Sequence, residues 1–169
     1  QSGIDPFIAN ILRSVREIAP SFGLPATPTD RYVTAHAILS SGWFDGDLPQ
    51  LHYNIFGVKA TSNWTGAVVL LPTGECYTDA EIARAQALPS GQNGAFIRFI
   101  DKPCSAGKRR VLIWDRFRSY PSPQEAIRNH LTLVSGLDRY RSSFAKLKSG
   151  AHDYMRQLGR DGWYTADPD

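Results

Sequence analysis

The sequence predicts an α+β fold, mainly α, in which a β-rich segment interrupts an otherwise helical chain. Three observations predict it. Apolar residues recur at helical spacing near the N-terminus and again after Ser122. Between Trp64 and Arg118 β-forming runs dominate, separated by turn residues. No linker, internal repeat or low-complexity tract divides the 169 residues, a length that buries a core without staples. Helices on both sides of a β-rich insertion imply a two-lobed domain with a cleft between its lobes, the β lobe covering about residues 55–118.

Asp5-Pro6 opens the first helix with proline in its first turn, and Phe7, Ile8, Ile11, Leu12, Val15, Ile18 and Ala19 form its apolar face. Pro20 to Asp30, with Pro25 and Pro28, reads as a loop, and Thr29 or Asp30 is a candidate cap for a second helix from about Arg31 to Ser41. Gly42 ends that helix, because glycine enters the left-handed conformation without steric cost. Ser40 falls on the last turn, where a side chain is well placed to face a cleft. Phe44 to Tyr53 is polar and irregular and reads as a loop.

Ala67–Leu71, Ala95–Ile100 and Val111–Trp114 are the expected strands, with turn signals at Pro72-Thr-Gly74, Ser90-Gly91 and Ser105-Ala-Gly107 and a short helix over Asp79 to Leu88. Ser122-Pro-Gln-Glu125 is a capping box with proline at the first helical position, opening a helix to about Ser135. Tyr140 to Leu147 and Ala151 to Leu158 complete the helices before a tail from Gly162 to Pro168.

The formal charge of +3 and a pI near 9.0 suit a polyanionic partner such as nucleic acid or bacterial cell wall, without choosing between them. Lys108, Arg109, Arg110, Arg116 and Arg118 read as one solvated basic face. No apolar run approaches the roughly 20 residues needed to cross a bilayer, and the N-terminus lacks the regions of a signal peptide, so an exported protein would be present here in processed form. Cys76 and Cys104 are the only cysteines, and His36, His52, His130 and His152 lack metal-ligand spacing, so neither a metal nor a cofactor is expected. The two cysteines admit a disulfide in an oxidising compartment or a pair of free buried thiols. Trp43, Tyr53, Phe56, Trp64, Trp163 and Tyr164 flank the lobe junctions, where each serves either core packing or stacking on sugar rings.

Six blocks, in order, carry a family resemblance. Ala35-His-Ala-Ile-Leu-Ser-Ser-Gly-Trp43 resembles the AQAxLESGWG segment of the bacterial endo-β-N-acetylglucosaminidases of glycoside hydrolase family 73, which includes flagellar peptidoglycan hydrolases and autolysins. Tyr53-Asn-Ile-Phe-Gly-Val-Lys-Ala60 is similar to its xNLFGIKA and Asn63-Trp-Thr-Gly66 to its xWxG. Phe117-Arg-Ser-Tyr-Pro-Ser-Pro-Gln-Glu-Ala126 resembles FRxYxSxxES, Asp138-Arg-Tyr140 resembles xRY, and Gly162-Trp-Tyr-Thr-Ala-Asp-Pro168 resembles GYATDP. The resemblance implies a lysozyme-like fold whose helical lobe and inserted β lobe flank a glycan-binding groove. It also implies cleavage of peptidoglycan strands at the β-1,4 bond after N-acetylglucosamine. Such cleavage needs a carboxylic acid of raised pKa to protonate the leaving oxygen, and a second carboxylate or the substrate's own acetamido group to support the transition state.

Carried over by position, the family's general acid falls on Ser40, whose hydroxyl cannot serve as an acid near neutral pH. Asp45 and Asp47 are candidates for a relocated acid. His36, one turn before Ser40, allows a Ser-His pair, against the plainer reading of both as solvent-facing polar residues. The family's second glutamate falls on Glu75, with Asp79 and Glu81 competing, because about forty residues separate Glu75 from Phe117 and enlarge the β lobe beyond the usual hairpin. Tyr164 matches the tyrosine of GYATDP near the scissile bond, while Tyr53, Asn54, Phe56, Lys59 and Trp64 match substrate-binding positions. The expected chain is a catalytically impaired N-acetylglucosaminidase, its acid removed by mutation. The alternative is a natural glycan-binding pseudoenzyme or structural module of a secretion or flagellar machine. Either acts on cell wall in the periplasm or outside the cell, with peptidoglycan as partner, an inhibitor or secretion-machine protein as a further candidate, and no nucleic acid.

Overall fold

In the computed structural model residues 4–164 are described, with side chains from Pro6 onward, and Thr165 to Asp169 of the tail lie outside the described residues. The chain forms two compact units, one of Gln1–Ala67 with Arg118–Asp169 and one of Val68–Phe117.

The first unit is helical. Its first helix, α1 (Ile4–Ile18), buries Ile11, Val15 and Ile18, the face expected from periodicity. The expected loop after it holds a 3-10 turn (Ala19–Phe22) and the start of α2 (Ala26–Ser41), which breaks at Thr27 (φ −125°, ψ 132°). Because α2 begins before Thr29, neither expected cap acts as one. The Thr29 hydroxyl has no hydrogen-bond partner, and the buried Asp30 carboxylate instead accepts from Arg16 Nε and Nη2 at 3.2 and 3.1 Å. Gly42 ends α2 with φ 59°. Trp43 and Phe44 continue in the left-handed region at φ 64° and 61°, a strained path for side-chain-bearing residues. Burial of Phe44 against Phe7, ring centroids 4.9 Å apart, holds that path in place. The expected loop that follows contains a five-residue helix, α3 (Asp47–Leu51).

Asn54 is buried and closes the next loop on itself. Its amide nitrogen donates to the carbonyls of Val58 and Arg118, both at 2.8 Å, and its oxygen accepts from Val58 N at 3.0 Å. Ile55, Phe56 and Val58 thereby join the helical core, so this stretch belongs to the first unit and the β unit starts at Val68, later than expected. The Trp-Thr-Gly spacing has a steric reason. The Trp64 indole folds back over residue 66 and donates Nε1 to Ala67 O at 2.9 Å, and a Cβ on Gly66 would stand 2.3 Å from the ring. Where the β unit leaves and rejoins, Ser119 N donates to Ala67 O at 2.9 Å and Arg118 N to Val58 O at 3.0 Å.

Arg118 departs from the expected solvated basic face. It is 2% exposed and donates Nη1 to Asn129 Oδ1 at 3.0 Å and Nε to Lys59 O at 3.3 Å, with its guanidinium 4.4 Å from the Trp64 ring centroid. A buried guanidinium is tolerable only with its donors satisfied in this way. Lys108 and Arg109 are exposed as expected, whereas Arg110 and Arg116 are half-buried.

After the insertion come α5 (Pro123–Gly136), a 3-10 turn (Asp138–Tyr140), α6 (Arg141–Ser149) and α7 (Tyr154–Arg160). Only half of the expected capping box forms on α5. The Ser122 hydroxyl accepts from Glu125 N, but the Glu125 carboxylate turns outward to Arg128 at 2.7 Å, where a full charge is available.

The second unit is a three-stranded sheet in the order β1 (Val68–Tyr77), β3 (Arg109–Arg118), β2 (Phe96–Phe99), with α4 (Asp79–Ala87) between β1 and β2. Strands β2 and β3 run antiparallel, with an irregular register between Phe96 and Arg98. Pro72-Thr-Gly74 does not turn the chain, because β1 runs through it. As an edge strand β1 has one side free of ladder bonds, which accommodates a residue without N–H. A capping box of Thr78 and Glu81 starts α4. Ile82, Val111 and Ile113 form a small core with Tyr77 and Phe96 beside it. Cys76 and Cys104 are joined by a disulfide, Cα atoms 6.0 Å apart.

Candidate active site

The last turn of α2 meets the Asn54–Ala60 loop. A Cβ built on Gly57 would lie 3.9 Å from the Ser40 carbonyl oxygen, so two of the sequence blocks approach each other closely at position 40. The end of the helix is fixed from its far side, where Ser41 Oγ donates to Ala37 O at 2.7 Å and accepts from Phe44 N at 2.9 Å. Ser40 Oγ, by contrast, is shielded from solvent and has no hydrogen-bond partner.

One turn back, His36 is fully buried among aromatic rings rather than facing solvent. Its ring centroid lies 5.2 Å from Phe56, 5.1 Å from His130, 5.4 Å from Trp163 and 5.9 Å from Tyr164. His130, from the inner face of α5, stacks on Phe56 at 4.1 Å and has Nε2 3.2 Å from the Tyr154 hydroxyl. Four of the six sequence blocks thus supply rings to one aromatic cluster, through His36 on α2, Phe56 on the Asn54–Ala60 loop, Tyr140 at 5.5 Å from Trp163, and Trp163 with Tyr164 in the tail, while His130 joins from α5 outside the blocks. His130 was not singled out from sequence, although its place among Ala126, Ile127, Leu131 and Val134 on the apolar face of a capped helix marks it as an inward histidine.

Burial determines the charge here. Desolvation pushes His36 down to about 3, and burial together with the neighbouring His36 lowers His130 well below the ordinary histidine value. Both rings are neutral near pH 7 and hold no acidic proton for a leaving group. Both ring nitrogens of His36 lack hydrogen-bond partners, as does Ser40 Oγ, so the Ser-His pair is not formed. Desolvation also raises the Tyr164 phenol, a half-exposed side chain that packs on Gly159.

The other expected residues are distributed as follows. Asn54 and Phe56 are buried, Tyr53 and Lys59 are half-buried, and Trp64 is half-buried against Arg118 and Tyr120. Asn54 works as a loop lock, while Phe56 and Trp163 are packing residues of the cluster. Trp43 is 61% exposed. Asp45 and Asp47 are both exposed, the first accepting from Gly46 N at 3.0 Å and the second in the opening turn of α3. Glu75, half-buried, belongs to β1 in the other unit, where Glu81 serves the cap of α4 and Asp79 is exposed. Among the described residues no group of three or more His, Cys, Asp or Glu side chains is arranged to hold a metal ion.

A helix ending at a left-handed glycine, an asparagine-locked loop near its last turn and a small inserted sheet make up a mixed α+β domain of the lysozyme-like kind. The chain belongs to the glucosaminidase family, whose model, described as mannosyl-glycoprotein endo-beta-N-acetylglucosaminidase, matches residues 16–169. The peptidoglycan hydrolase FlgJ of Pseudomonas aeruginosa is 28% identical over 97% of this chain, which spans 33% of that protein's length. The crystal structure of a peptidoglycan hydrolase mutant from Sphingomonas sp. A1 is similar at 26% identity and a TM-score of 0.59, over 95% of this chain and 83% of that one. The catalytic domain of the autolysin Auto from Listeria monocytogenes shares the fold, with a TM-score of 0.61 at 22% identity, over 93% of this chain and 73% of that one. Among the described residues no helix is long and apolar enough to cross a membrane.

Proposed function

We propose that this chain is a peptidoglycan-directed endo-β-N-acetylglucosaminidase domain, acting in the periplasm or outside the cell, in which position 40 is the seat of the general acid and Ser40 leaves the chain catalytically impaired. The observation that carries this reading is the Ser40 hydroxyl, shielded and unpartnered on the last turn of α2, where that helix meets Gly57 and adjoins the cluster containing Tyr164. Protonating a sugar leaving group requires a carboxylic acid whose neutral form is favoured by a desolvated setting. The neutral, aromatic surroundings of this turn supply such a setting, but the residue at position 40 carries no carboxyl group. Glu75 is the second carboxylate in this reading, and Tyr53, Lys59 and Trp64 contact the glycan.

Loss of a positioned general acid lowers the rate by roughly 10²- to 10⁴-fold. Purified peptidoglycan therefore clears slowly or not at all with the chain as it stands. The Ser40→Glu variant is expected to regain turbidity loss by that factor, and Glu75→Gln in the same background to lose it again. A folded Ser40→Glu chain that binds cell wall yet never clears it would favour a glycan-binding module instead. Family-like lysis by the unmodified chain would place the acid elsewhere.

A further inference from the structure

Away from the Ser40 cluster, the helical unit carries a cavity of about 550 Å³, within the range of ordinary ligand pockets. Trp64, Tyr120, Glu125, Arg128, Asn129 and Thr132 line it, together with the backbone of Gly66 and Ala67. None of these residues belongs to the aromatic cluster. Helix α5 serves both places, turning His130 inward and presenting Glu125, Arg128, Asn129 and Thr132 along its other face.

Asn129 is what makes the cavity more than a surface depression. Its Oδ1 accepts from Arg118 Nη1 at 3.0 Å and from the Tyr120 hydroxyl at 2.5 Å. A guanidinium only donates, so the side-chain nitrogen cannot take the place of that oxygen and the amide has a single orientation. Asn129 lines the cavity, and this orientation leaves its two N–H groups, rather than its oxygen, to meet an occupant there. The anchor is itself rigid, because Arg118 is buried and also donates to Lys59 O.

The remaining lining defines the chemistry of an occupant. Glu125 and Arg128 pair at 2.7 Å, so the lining carries no net charge, and the second carboxylate oxygen and further guanidinium N–H groups remain for neutral hydroxyls. Trp64, Tyr120 and Pro121 supply apolar wall, and Ser119 and Thr132 supply hydroxyls. An uncharged ligand with an apolar face, a rim of hydroxyls and one strong carbonyl acceptor matches this set. Building on the glycan reading above, we propose that this cavity takes one N-acetylhexosamine residue of a glycan strand, with the acetamido oxygen accepting from Asn129 Nδ2 and the pyranose against the Trp64–Tyr120 wall.

The test uses the full chain, titrated with the N-acetylglucosamine tetramer while the Asn129 side-chain amide and Trp64 indole N–H signals are followed by NMR. The near-isosteric Asn129→Asp variant keeps an oxygen for Arg118 and Tyr120, replaces the two donors with an acceptor oxygen and adds one negative charge, and the loss of its amide signal assigns that resonance. Thr132→Phe fills the cavity from an exposed helix position. Both signals are expected to shift in the unmodified chain, and each variant, with its melting temperature retained, should weaken the Trp64 response at least tenfold. Absence of any shift at Asn129 and Trp64, or an unchanged Trp64 affinity in both folded variants, would overturn the assignment. In either case clearing of cell wall by Ser40→Glu is read separately, so a failed pocket is distinguishable from a failed glycosidase.

Discussion

The two units of this chain hold themselves together by different means. The helical unit buries a continuous core drawn from α1, α2, α5, α6, α7 and the Asn54–Ala60 loop, with fully buried Ile11, Val33, Ile55, Ile127, Leu131, Tyr154 and Leu158 among its members. The buried cluster of the β unit is small, Ile82, Val111 and Ile113, with Ala85, Ala95 and Phe117 also buried, and no residue of its first strand is fully buried. What it has instead is a disulfide across residues 28 apart, a capped helix and a rim of cation and ring contacts such as Arg109 over Phe99 at 3.8 Å. Burial scales with the number of elements that surround a side chain, so a three-stranded sheet with one short helix cannot match a bundle and relies on a covalent link.

The helical unit is most sensitive at its core. Leu131→Ala, at a position with no exposure, is expected to cost about 2–5 kcal/mol, read as a lower urea midpoint with unchanged slope. The same substitution should leave hydrogen exchange in Val68–Phe117 governed by that unit's own opening. Replacing Cys76 and Cys104 by serine removes a closed loop worth about 3–4 kcal/mol and should act in reverse, raising exchange across β1, β2 and α4 while α1 and α5 stay protected.

The two units also differ in their response to pH. All four histidines lie in the helical unit. His36 and His130 are neutral when folded, and their pKa values are lowered from an ordinary 6.5, to about 3 for His36. Above pH 6.5 neither state of the chain binds protons at these rings, and their contribution to stability is complete. As pH falls below 6.5 the unfolded chain takes up protons that the folded one refuses. Stability then drops by up to about 1.4 kcal/mol per pH unit for each ring, until His36 protonates in place near pH 3. Melting temperatures between pH 7.5 and 4.5 should fall accordingly, and His36→Phe should flatten the curve. An unchanged slope in that variant would mean that His36 is not the neutral buried ring described.

Legibility in the sequence followed how local the governing interaction is. The first helix and α5 were evident because period, proline and cap residue agree within a few positions, and Gly42 ended α2 for reasons internal to one residue. The passage of β1 through Pro72-Thr-Gly74 was not evident, because whether a proline breaks a strand depends on which sheet edge it occupies. Arg118 looked like one more cation in a basic run, since its burial depends on Asn129 and Lys59, residues 11 and 59 positions away. His36 looked solvent-facing for the same reason, as the rings that cover it come from three other segments. The residues of the candidate site could be carried over from the resemblance block by block, whereas the aromatic cluster that joins those blocks appeared only in three dimensions.

The hydrogen bond from Ser119 N to Ala67 O also has a consequence for the length of the insertion. It places the departure and return points of the β unit side by side, at a junction that belongs wholly to the helical unit. A segment grafted between adjacent ends leaves the host's chain path unaltered whatever its length, since loop closure grows costlier only logarithmically. The sheet, its disulfide and α4 thus occupy a stretch whose length the helical unit's chain path does not constrain. A longer or shorter insertion at that junction would leave the ends of α2 and α5 joined through the same Ala67–Ser119 contact.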